Sequence, residues 1–159
     1  MIETPTRVLV VDDVDEIRLL LTVVLGLEAN IEIVGEAVNG EEAIEQARQL
    51  QPDVVLLDIA MPVMSGDEAL PHILEASPAS KVIVVSAFTA SVMRDKVLAL
   101  GAAAYVEKGF NPEPIVTAIN DLYAAKPDDP DDSNFMKYIA CPLARLFGAP
   151  LSPANTHAL

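Results

Sequence analysis

Five short runs of β-branched and other apolar residues alternate with stretches of helical periodicity between residues 7 and 125. The runs are Val8–Val11, Ile31–Val34, Val54–Leu57, Val82–Val85 and Ala104–Val106. Strands that alternate with helices fold as right-handed units whose strands are parallel. Because the runs are almost continuously apolar, we expect both faces of each strand to be buried. The alternation therefore predicts an α/β domain at residues 1–125, with one parallel sheet between two layers of helices.

The stretches between the runs repeat apolar residues at the spacing of one helix face. In the first helix, the predicted buried stripe is Ile17, Leu20, Leu21 and Val24. Three other apolar residues of that helix lie off the stripe: Leu19, Val23 and Leu25. Asn39 is the predicted N-cap of the second helix. Pro71 falls inside the third, so we expect that helix to start late or to kink there.

The net charge of −14, from 10 basic and 24 acidic residues, argues against binding nucleic acid by neutralising phosphates. A membrane-spanning helix needs about 20 consecutive apolar residues, and every apolar run in this sequence is far shorter. The first residues, MIETPTR, lack the basic-then-apolar layout of a signal peptide. The single cysteine, Cys141, excludes an internal disulfide. We therefore expect a cytoplasmic protein that contacts neither nucleic acid nor membrane.

The composition changes after Ala125. Residues 126–133, KPDDPDDS, contain two prolines and four aspartates and are predicted to be a linker. Residues 134–159 form an apolar tail that is too short to be a complete domain. Because disordered segments are poor in large apolar residues, we expect this tail to pack on a surface. Its own chain or a dimer mate is favoured over an outside partner.

Charged and hydroxyl side chains follow the predicted strands where each one ends. They are Asp12 and Asp13, Asp58, Ser86, and Glu107 with Lys108. Ligands of open parallel sheets bind beyond the carboxyl ends of the strands, so these residues should share one rim. Clustered carboxylates favour Mg²⁺, and a carboxylate beside Mg²⁺ and a lysine can accept a phosphoryl group. The pattern predicts that chemistry at the rim.

Each residue also has an ordinary structural role open to it. The acid pair could be only a helix entry, with Asp15 as the better N-cap candidate. Asp58 could be a turn acid, and Ser86 a hydrogen-bonding group at a strand end. Tyr105 could be core packing, and Lys108 a solvated surface residue. The order of the motifs along the chain favours the shared site.

Four segments, in this order, resemble the receiver domains of bacterial two-component response regulators. They are VLVVDD, VVLLDIAMPVMSG, VVSA and GAAAYVEKG. The resemblance spans residues 7–125. It implies a flavodoxin-like, doubly wound, five-stranded parallel sheet with the strand order 2-1-3-4-5.

The resemblance implies a role for each residue around the third strand. Asp58 would be the phosphoacceptor. Asp13, Asp58 and the backbone carbonyl of Ala60 would hold Mg²⁺, and Asp12 would help through a water molecule. Gly66 would permit the turn of the loop after Asp58.

The resemblance also implies a set of switch residues. Lys108 would bind a phosphoryl oxygen, Ser86 with the adjacent Ala87 would move toward the phosphoryl group, and Tyr105 would change rotamer. In similar receivers, the side chains two positions after the phosphoacceptor and two after the serine influence the attacking water. Here they are Ala60 and Phe88, so we expect a long-lived phosphorylated state.

One position departs from the usual pattern. Receivers usually have proline after the lysine, often with a cis bond, whereas Gly109 follows Lys108 here. A cis bond before a residue other than proline costs about 2.5–4 kcal/mol, so we expect a trans bond and a different loop. With IEIVGEAVNGEEA, the Lys–Gly pair resembles receivers that are fused to a LuxR-type helix-turn-helix.

The implied function is a phosphorylation-dependent switch, with self-phosphorylation and autodephosphorylation as its only chemistry. A histidine kinase or a histidine phosphotransfer protein would supply the phosphoryl group, and its docking would involve Leu19 and Val23. The output would be a protein–protein interaction. A homodimer could form through the last helices or the tail.

The sequence has two alternative interpretations. The chain could be the receiver part of a DNA-binding transcriptional regulator whose helix-turn-helix domain is absent from it. A hydrolase of phosphate esters would need a second acid two residues after Asp58, where Ala60 stands.

Overall fold

The structure, a computed structural model, describes residues 4–87 and 91–124. The strands are β1 (Thr6–Val11), β2 (Ile31–Ala37), β3 (Val54–Asp58), β4 (Lys81–Ser86) and β5 (Ala104–Glu107). The helices are α1 (Asp15–Gly26), α2 (Gly40–Leu50), α3 (Gly66–Ala76), α4 (Ser91–Ala99) and α5 (Glu113–Ala124). The expectations for Phe88, the linker 126–133 and the tail 134–159 fall outside the described residues.

The five strands form one parallel sheet with the order β2-β1-β3-β4-β5. This is the doubly wound order 2-1-3-4-5 that the sequence predicted. The order reverses beside β1, so β1 and β3 lie next to each other at the centre of the sheet. Their carboxyl ends are where a ligand site is expected in an open parallel sheet.

Both faces of the three central strands are buried, as their apolar runs predicted, whereas the edge strands β2 and β5 are partly exposed, contrary to the prediction for every strand. Successive side chains of a strand point to opposite faces. Leu9 and Val11 face the cluster that includes buried residues of α2, α3 and α4. Val8 and Val10 face the cluster that includes buried residues of α1 and α5. The core thus fixes all of the strand ends in one rigid frame.

The buried stripe of α1 differs from the prediction at two positions. Leu25 is fully buried although it was placed off the stripe, and Leu20 is 46% exposed although it was placed on it. The residues that face the sheet follow i, i+4 and i+8 from Ile17, through Leu21 to Leu25. The predicted stripe, which includes the i+3 position Leu20, is therefore displaced around the helix axis by part of a turn.

The N-termini of α2 and α1 are capped differently. Asn39 caps α2 as predicted, because its side chain accepts a hydrogen bond from the Glu42 backbone at 2.9 Å. Asp15 is not the N-cap of α1: the N-cap is Val14, and Asp15 is the first helical residue. The Asp12 side chain instead accepts a hydrogen bond from the Val14 backbone at 2.9 Å. Asp12 thus contributes to the helix entry as well as to the rim.

Helix α3 begins at Gly66, five residues before Pro71, so the late start that was one alternative is wrong. Pro71 lies inside the helix and is exposed. Among the helices that the structure describes, none combines the length and the apolar character that a membrane span requires.

Candidate functional site

Three charged side chains from three strand ends meet at the carboxyl edge of the sheet. The Lys108 ammonium lies 2.6 Å from Asp12 Oδ2 and 3.1 Å from Asp58 Oδ1. Asp12 is 1% exposed and Asp58 is 4% exposed, so both ion pairs are largely shielded from solvent. The predicted convergence of Asp12, Asp58 and Lys108, which are far apart in the chain, is confirmed.

Asp13 completes a cluster of carboxylates. One oxygen each from Asp12, Asp13 and Asp58 lie within 4.8 Å of one another. In an octahedral Mg²⁺ site, ligand oxygens lie about 3–4 Å apart, because each is about 2.1 Å from the metal. The cluster therefore has nearly the right dimensions, and a water molecule can supply one of the contacts. Three carboxylates and one ammonium leave two negative charges, which suits a divalent cation.

The electrostatics of the cluster also favour an added cation. Burial raises the pKa of the Asp58 carboxyl, and the negative charge of Asp12 raises it further, against the attraction of Lys108. Burial lowers the pKa of Lys108, but the hydrogen bond to Asp12 and the charge of Asp58 outweigh it, so the pKa of Lys108 is raised. Lys108 thus stays protonated at neutral pH. A bound cation would favour the charged form of Asp58.

The loop that holds Asp13 is fixed by a residue that the sequence analysis missed. The Arg18 guanidinium donates to the backbone carbonyl of Asp12 at 2.9 Å, to Glu36 at 2.9 Å and to Asp15 at 2.6 Å. These contacts join the β1–α1 loop to α1 and β2. The hydrogen bond to Asp15 raises the pKa of Arg18, which remains charged. The sequence signal that could have identified Arg18 is its position in the first turn of α1, shortly after Asp12 and Asp13.

The loop after Asp58 turns back on itself and passes close to the strand end. The Gly66 backbone donates to the Ile59 carbonyl at 2.9 Å. Val63, within the same loop, has a φ of +70°, which is unusual for a β-branched residue. Ala60, whose carbonyl is a candidate metal ligand, lies in this loop and is exposed.

Replacing Gly66 with alanine is expected to destabilise the protein. An added Cβ would lie 2.0 Å from the backbone oxygen of Asp58, so the loop and the strand end would have to move apart. Overpacking of this kind costs about 1–3 kcal/mol. The control is Gly26→Ala, since a Cβ there has nothing within 4 Å. Urea unfolding would compare the two variants, and equal stabilities would contradict the proposed crowding.

The remaining rim residues belong to β4 and β5, the two strands on the side of β3 opposite β1. Ser86 ends β4 and is 1% exposed, and its backbone carbonyl accepts a hydrogen bond from the Lys108 backbone at 2.8 Å. Ala87 follows it and is exposed. Tyr105, on β5, is half-buried and packs against the cluster on the α2–α3–α4 face. The backbone hydrogen bond between Lys108 and Ser86 thus holds the carboxyl ends of β4 and β5 together.

Two further expectations concern residues near the rim. No cis peptide bond occurs in the described ranges, so the bond between Lys108 and Gly109 is trans, as predicted. Leu19 and Val23, the candidate docking residues on α1, are 64% and 54% exposed. They are therefore available to a partner, whereas the buried Leu25 is not.

Comparison with known proteins agrees with this arrangement. The family model described as the response regulator receiver domain matches residues 8–120. The chemotaxis protein CheY of Thermotoga maritima is 40% identical over 116 residues, which cover 73% of this chain and 96% of CheY. The response regulator GacA of Pseudomonas viridiflava is 39% identical over 120 residues. These cover 76% of this chain but only 56% of GacA, so the match spans about half of that relative.

Two solved structures show the same fold. A two-component response regulator of the LuxR family from Aurantimonas is 26% identical, with a TM-score of 0.74 over 90% of this chain and 99% of that one. CheY in the CheX–CheY–BeF3–Mg complex from Borrelia burgdorferi is 29% identical, with a TM-score of 0.71 over 76% of this chain and 90% of that one. The chain belongs to the response regulator receiver domain family, the phosphorylation-dependent switches of two-component signalling.

Proposed function

We propose that Asp58 is the phosphoacceptor of this receiver. The observation that carries the proposal is the position of its carboxylate, 3.1 Å from Lys108 and grouped with Asp12 and Asp13. Asp58 is the carboxylate at the end of β3, the strand next to the one that the acid pair follows. Its 4% exposure leaves it accessible only from the rim. Mapping the phosphorylated residue by borohydride reduction and peptide mass spectrometry tests the assignment directly.

The proposed reaction is a phosphoryl transfer from a phosphohistidine. An Oδ atom of Asp58 forms a bond to phosphorus as the nitrogen–phosphorus bond of the donor breaks. The imidazole leaves with the bonding electron pair and takes up a proton, and Asp58 becomes an acyl phosphate. Lys108 lies where it can hold one of the transferring oxygens and neutralise its charge.

Receiver domains bind Mg²⁺ at an acidic pocket, and Asp12, Asp13 and Asp58 form such a pocket here. In this proposal Asp13, Asp58 and the carbonyl of Ala60 would hold the ion directly, and Asp12 would act through water. Asp12 already bonds to Lys108 and to the Val14 backbone, which leaves it less free to enter the first coordination shell. Bound Mg²⁺ would supply positive charge to the transferring phosphoryl group.

Mg²⁺ is expected to raise the melting temperature of the protein, because it binds the folded cluster and not the unfolded chain. Asp13→Asn should abolish this increase in melting temperature, whereas Asp12→Asn should only decrease it. The control is Glu16→Gln, which removes an exposed carboxylate nearby and should keep the full shift. Melting in EDTA and in Mg²⁺ provides the readout. If the Asp13→Asn variant kept the Mg²⁺-dependent increase while the Asp12→Asn variant lost it, the roles of Asp12 and Asp13 would be reversed.

Ala60→Asn is expected to shorten the lifetime of the phosphorylated protein. The methyl group of Ala60 neither donates nor accepts a hydrogen bond, whereas an amide can orient an attacking water molecule. Ala60 is exposed, so the variant should fold. Decay after removal of the phosphodonor would be followed by intact mass, with Ala99→Asn on α4 as the control. Equal half-lives for the variant and the wild type would contradict the role of position 60.

Phosphorylation would also move the switch residues. The acyl phosphate carries about −1.5 to −2 charge where the Asp58 carboxylate carried −1, and Lys108 and Ser86 lie where that added charge appears. Ala87 follows Ser86 directly, and Tyr105 lies on β5 just before Lys108, so the change would reach the surface that α4, β5 and α5 form. Couplings of this kind are typically about 1–3 kcal/mol. The output would then be a protein–protein contact of that surface.

The proposed phosphodonor is a histidine kinase or a histidine phosphotransfer protein that docks on the exposed Leu19 and Val23 of α1. The alternative, the receiver part of a DNA-binding regulator, is not favoured. The match to CheY covers 96% of that relative, so a receiver of this size occurs as a whole protein. The net charge of −14 also argues against nucleic acid as a direct partner.

A further inference from the structure

One side of α1 exposes a continuous row of aliphatic side chains, which we call the α1 strip. Its members are Leu19, Leu20, Val23 and Leu27, and they are 64%, 46%, 54% and 79% exposed. At 3.6 residues per turn, these positions fall within an arc of about 100°. Single exposed leucines are common on protein surfaces. A contiguous row on one helix face is instead typical of a surface that another element covers.

The chain leaves α5 close to one end of the α1 strip. The Asn30 side chain, three residues after Leu27, donates to Asn120 Oδ1 at 2.8 Å. The Tyr123 hydroxyl donates to the Asp53 carbonyl at 2.7 Å. The first bond fixes α5 beside the loop that follows α1, and the second fixes its last turn beside the residue that precedes β3. Helix α5 therefore ends, at Ala124, on the side of the protein where the Leu27 end of the strip lies.

The sequence after α5 can supply a matching surface. Residues 134–147, which we call the apolar segment, include Phe135, Tyr138, Ile139, Leu143, Leu146 and Phe147. Residues 134–159 hold two basic residues, Lys137 and Arg145, and no acidic one. Residues 1–133 hold 8 basic and 24 acidic residues, which is a net charge of −16. Both the apolar content and the sign of the charge favour contact with the body of the protein.

The α1 strip carries an acid at its other end. Glu16 lies one turn before Leu20 on the same face of α1 and is exposed. A basic residue of the apolar segment can pair with it while the aromatic and aliphatic side chains cover the strip. An exposed pair of this kind contributes at most about 1 kcal/mol, so the apolar contact would dominate and the charges would set orientation.

We propose that the apolar segment, residues 134–147, docks on the α1 strip of its own chain. The nine residues 125–133 span up to about 30 Å when extended, and the 12 residues of α1 are about 18 Å long. The segment can therefore reach any part of the strip. A short tether gives an effective concentration in the millimolar range, which favours this intramolecular contact over a second copy at ordinary protein concentrations.

Leu19 and Val23 belong to the α1 strip, and they are also the residues proposed to meet the phosphodonor protein. The docking of the apolar segment does not itself rest on that proposed function.

The test uses Cys141, which lies in the apolar segment and is the single cysteine of the chain. A nitroxide attached to it in the unphosphorylated protein of residues 1–159 broadens the NMR signals of nearby amides. The expected result is selective loss of intensity at Leu19, Leu20, Val23 and Leu27. Val23→Lys should abolish this loss. The matched control, Val92→Lys, changes an exposed valine of α4 that is 78% exposed and should leave the loss unchanged.

Three results would overturn the proposal. The first is broadening that is uniform, absent or centred on α4 or β5. The second is selective broadening of α1 that Val23→Lys does not change. The third is broadening in a mixture of isotope-labelled chains without nitroxide and unlabelled chains with it, because that places the segment on a second copy. No readout depends on phosphorylation, so a failure here would leave the role of Asp58 untouched.

Discussion

Asp58→Asn is expected to abolish phosphorylation of the protein by acetyl phosphate in the presence of Mg²⁺. The wild type should gain one phosphoryl group in the intact mass spectrum, and the variant should gain none. An amide nitrogen or oxygen is a much weaker nucleophile than a carboxylate, and asparagine also removes one of the clustered metal ligands. The substitution nearly preserves the shape of a side chain that is 4% exposed, so the fold should survive.

The control for this variant is Asp95→Asn, which makes the same chemical change at an exposed carboxylate of α4. It should be phosphorylated at the wild-type rate. Undiminished labelling of Asp58→Asn would show that another residue accepts the phosphoryl group. Circular dichroism of both variants would separate a loss of chemistry from a loss of fold.

Lys108→Met is expected to slow phosphorylation of Asp58 by roughly 10²–10³-fold, the effect of removing one charge-stabilising donor from a reaction site. The ammonium lies 3.1 Å from Asp58 and 2.6 Å from Asp12, and its side chain is largely buried. Methionine keeps most of the apolar length of lysine but cannot donate to a phosphoryl oxygen. The rate would be measured with a small phosphodonor at saturating Mg²⁺.

Lys96→Met is the matched control for that variant. Lys96 also pairs with an aspartate, Asp67, at 2.5 Å, but on the surface between α3 and α4. Its loss should leave the rate of phosphorylation nearly unchanged. A wild-type rate for Lys108→Met would remove the lysine from the proposed chemistry, whatever its contribution to stability.

The sheet was predictable because its central strands are buried on both faces. Runs such as Val54–Leu57 have no polar interruption, and their positions in the structure match the prediction closely. The edge strand β2 was harder, since it continues through Gly35 and Glu36 to Ala37. An edge strand exposes some of its side chains, so an apolar run marks only part of it. The predicted run therefore stops at Val34, three residues before the strand ends at Ala37.

The rim residues were predictable from a rule about strand ends rather than from their own environment. Asp12, Asp58 and Lys108 stand at the carboxyl ends of β1, β3 and β5, and parallel strands bring such ends together. Arg18 escaped this rule because it lies on a helix, and its contacts to Asp12 and Glu36 depend on tertiary packing. The rotation of α1, which buries Leu25 and exposes Leu20, likewise depends on how the helix packs on the sheet.

The central claim is that Asp58 becomes an acyl phosphate at a Mg²⁺-dependent site. Borohydride reduces an aspartyl phosphate to homoserine, which peptide mass spectrometry locates to a single residue. After treatment with acetyl phosphate and Mg²⁺, the account predicts homoserine at position 58, and none when EDTA replaces Mg²⁺. Homoserine at position 12 or 13, or a phosphate that resists reduction on Ser86, would contradict it.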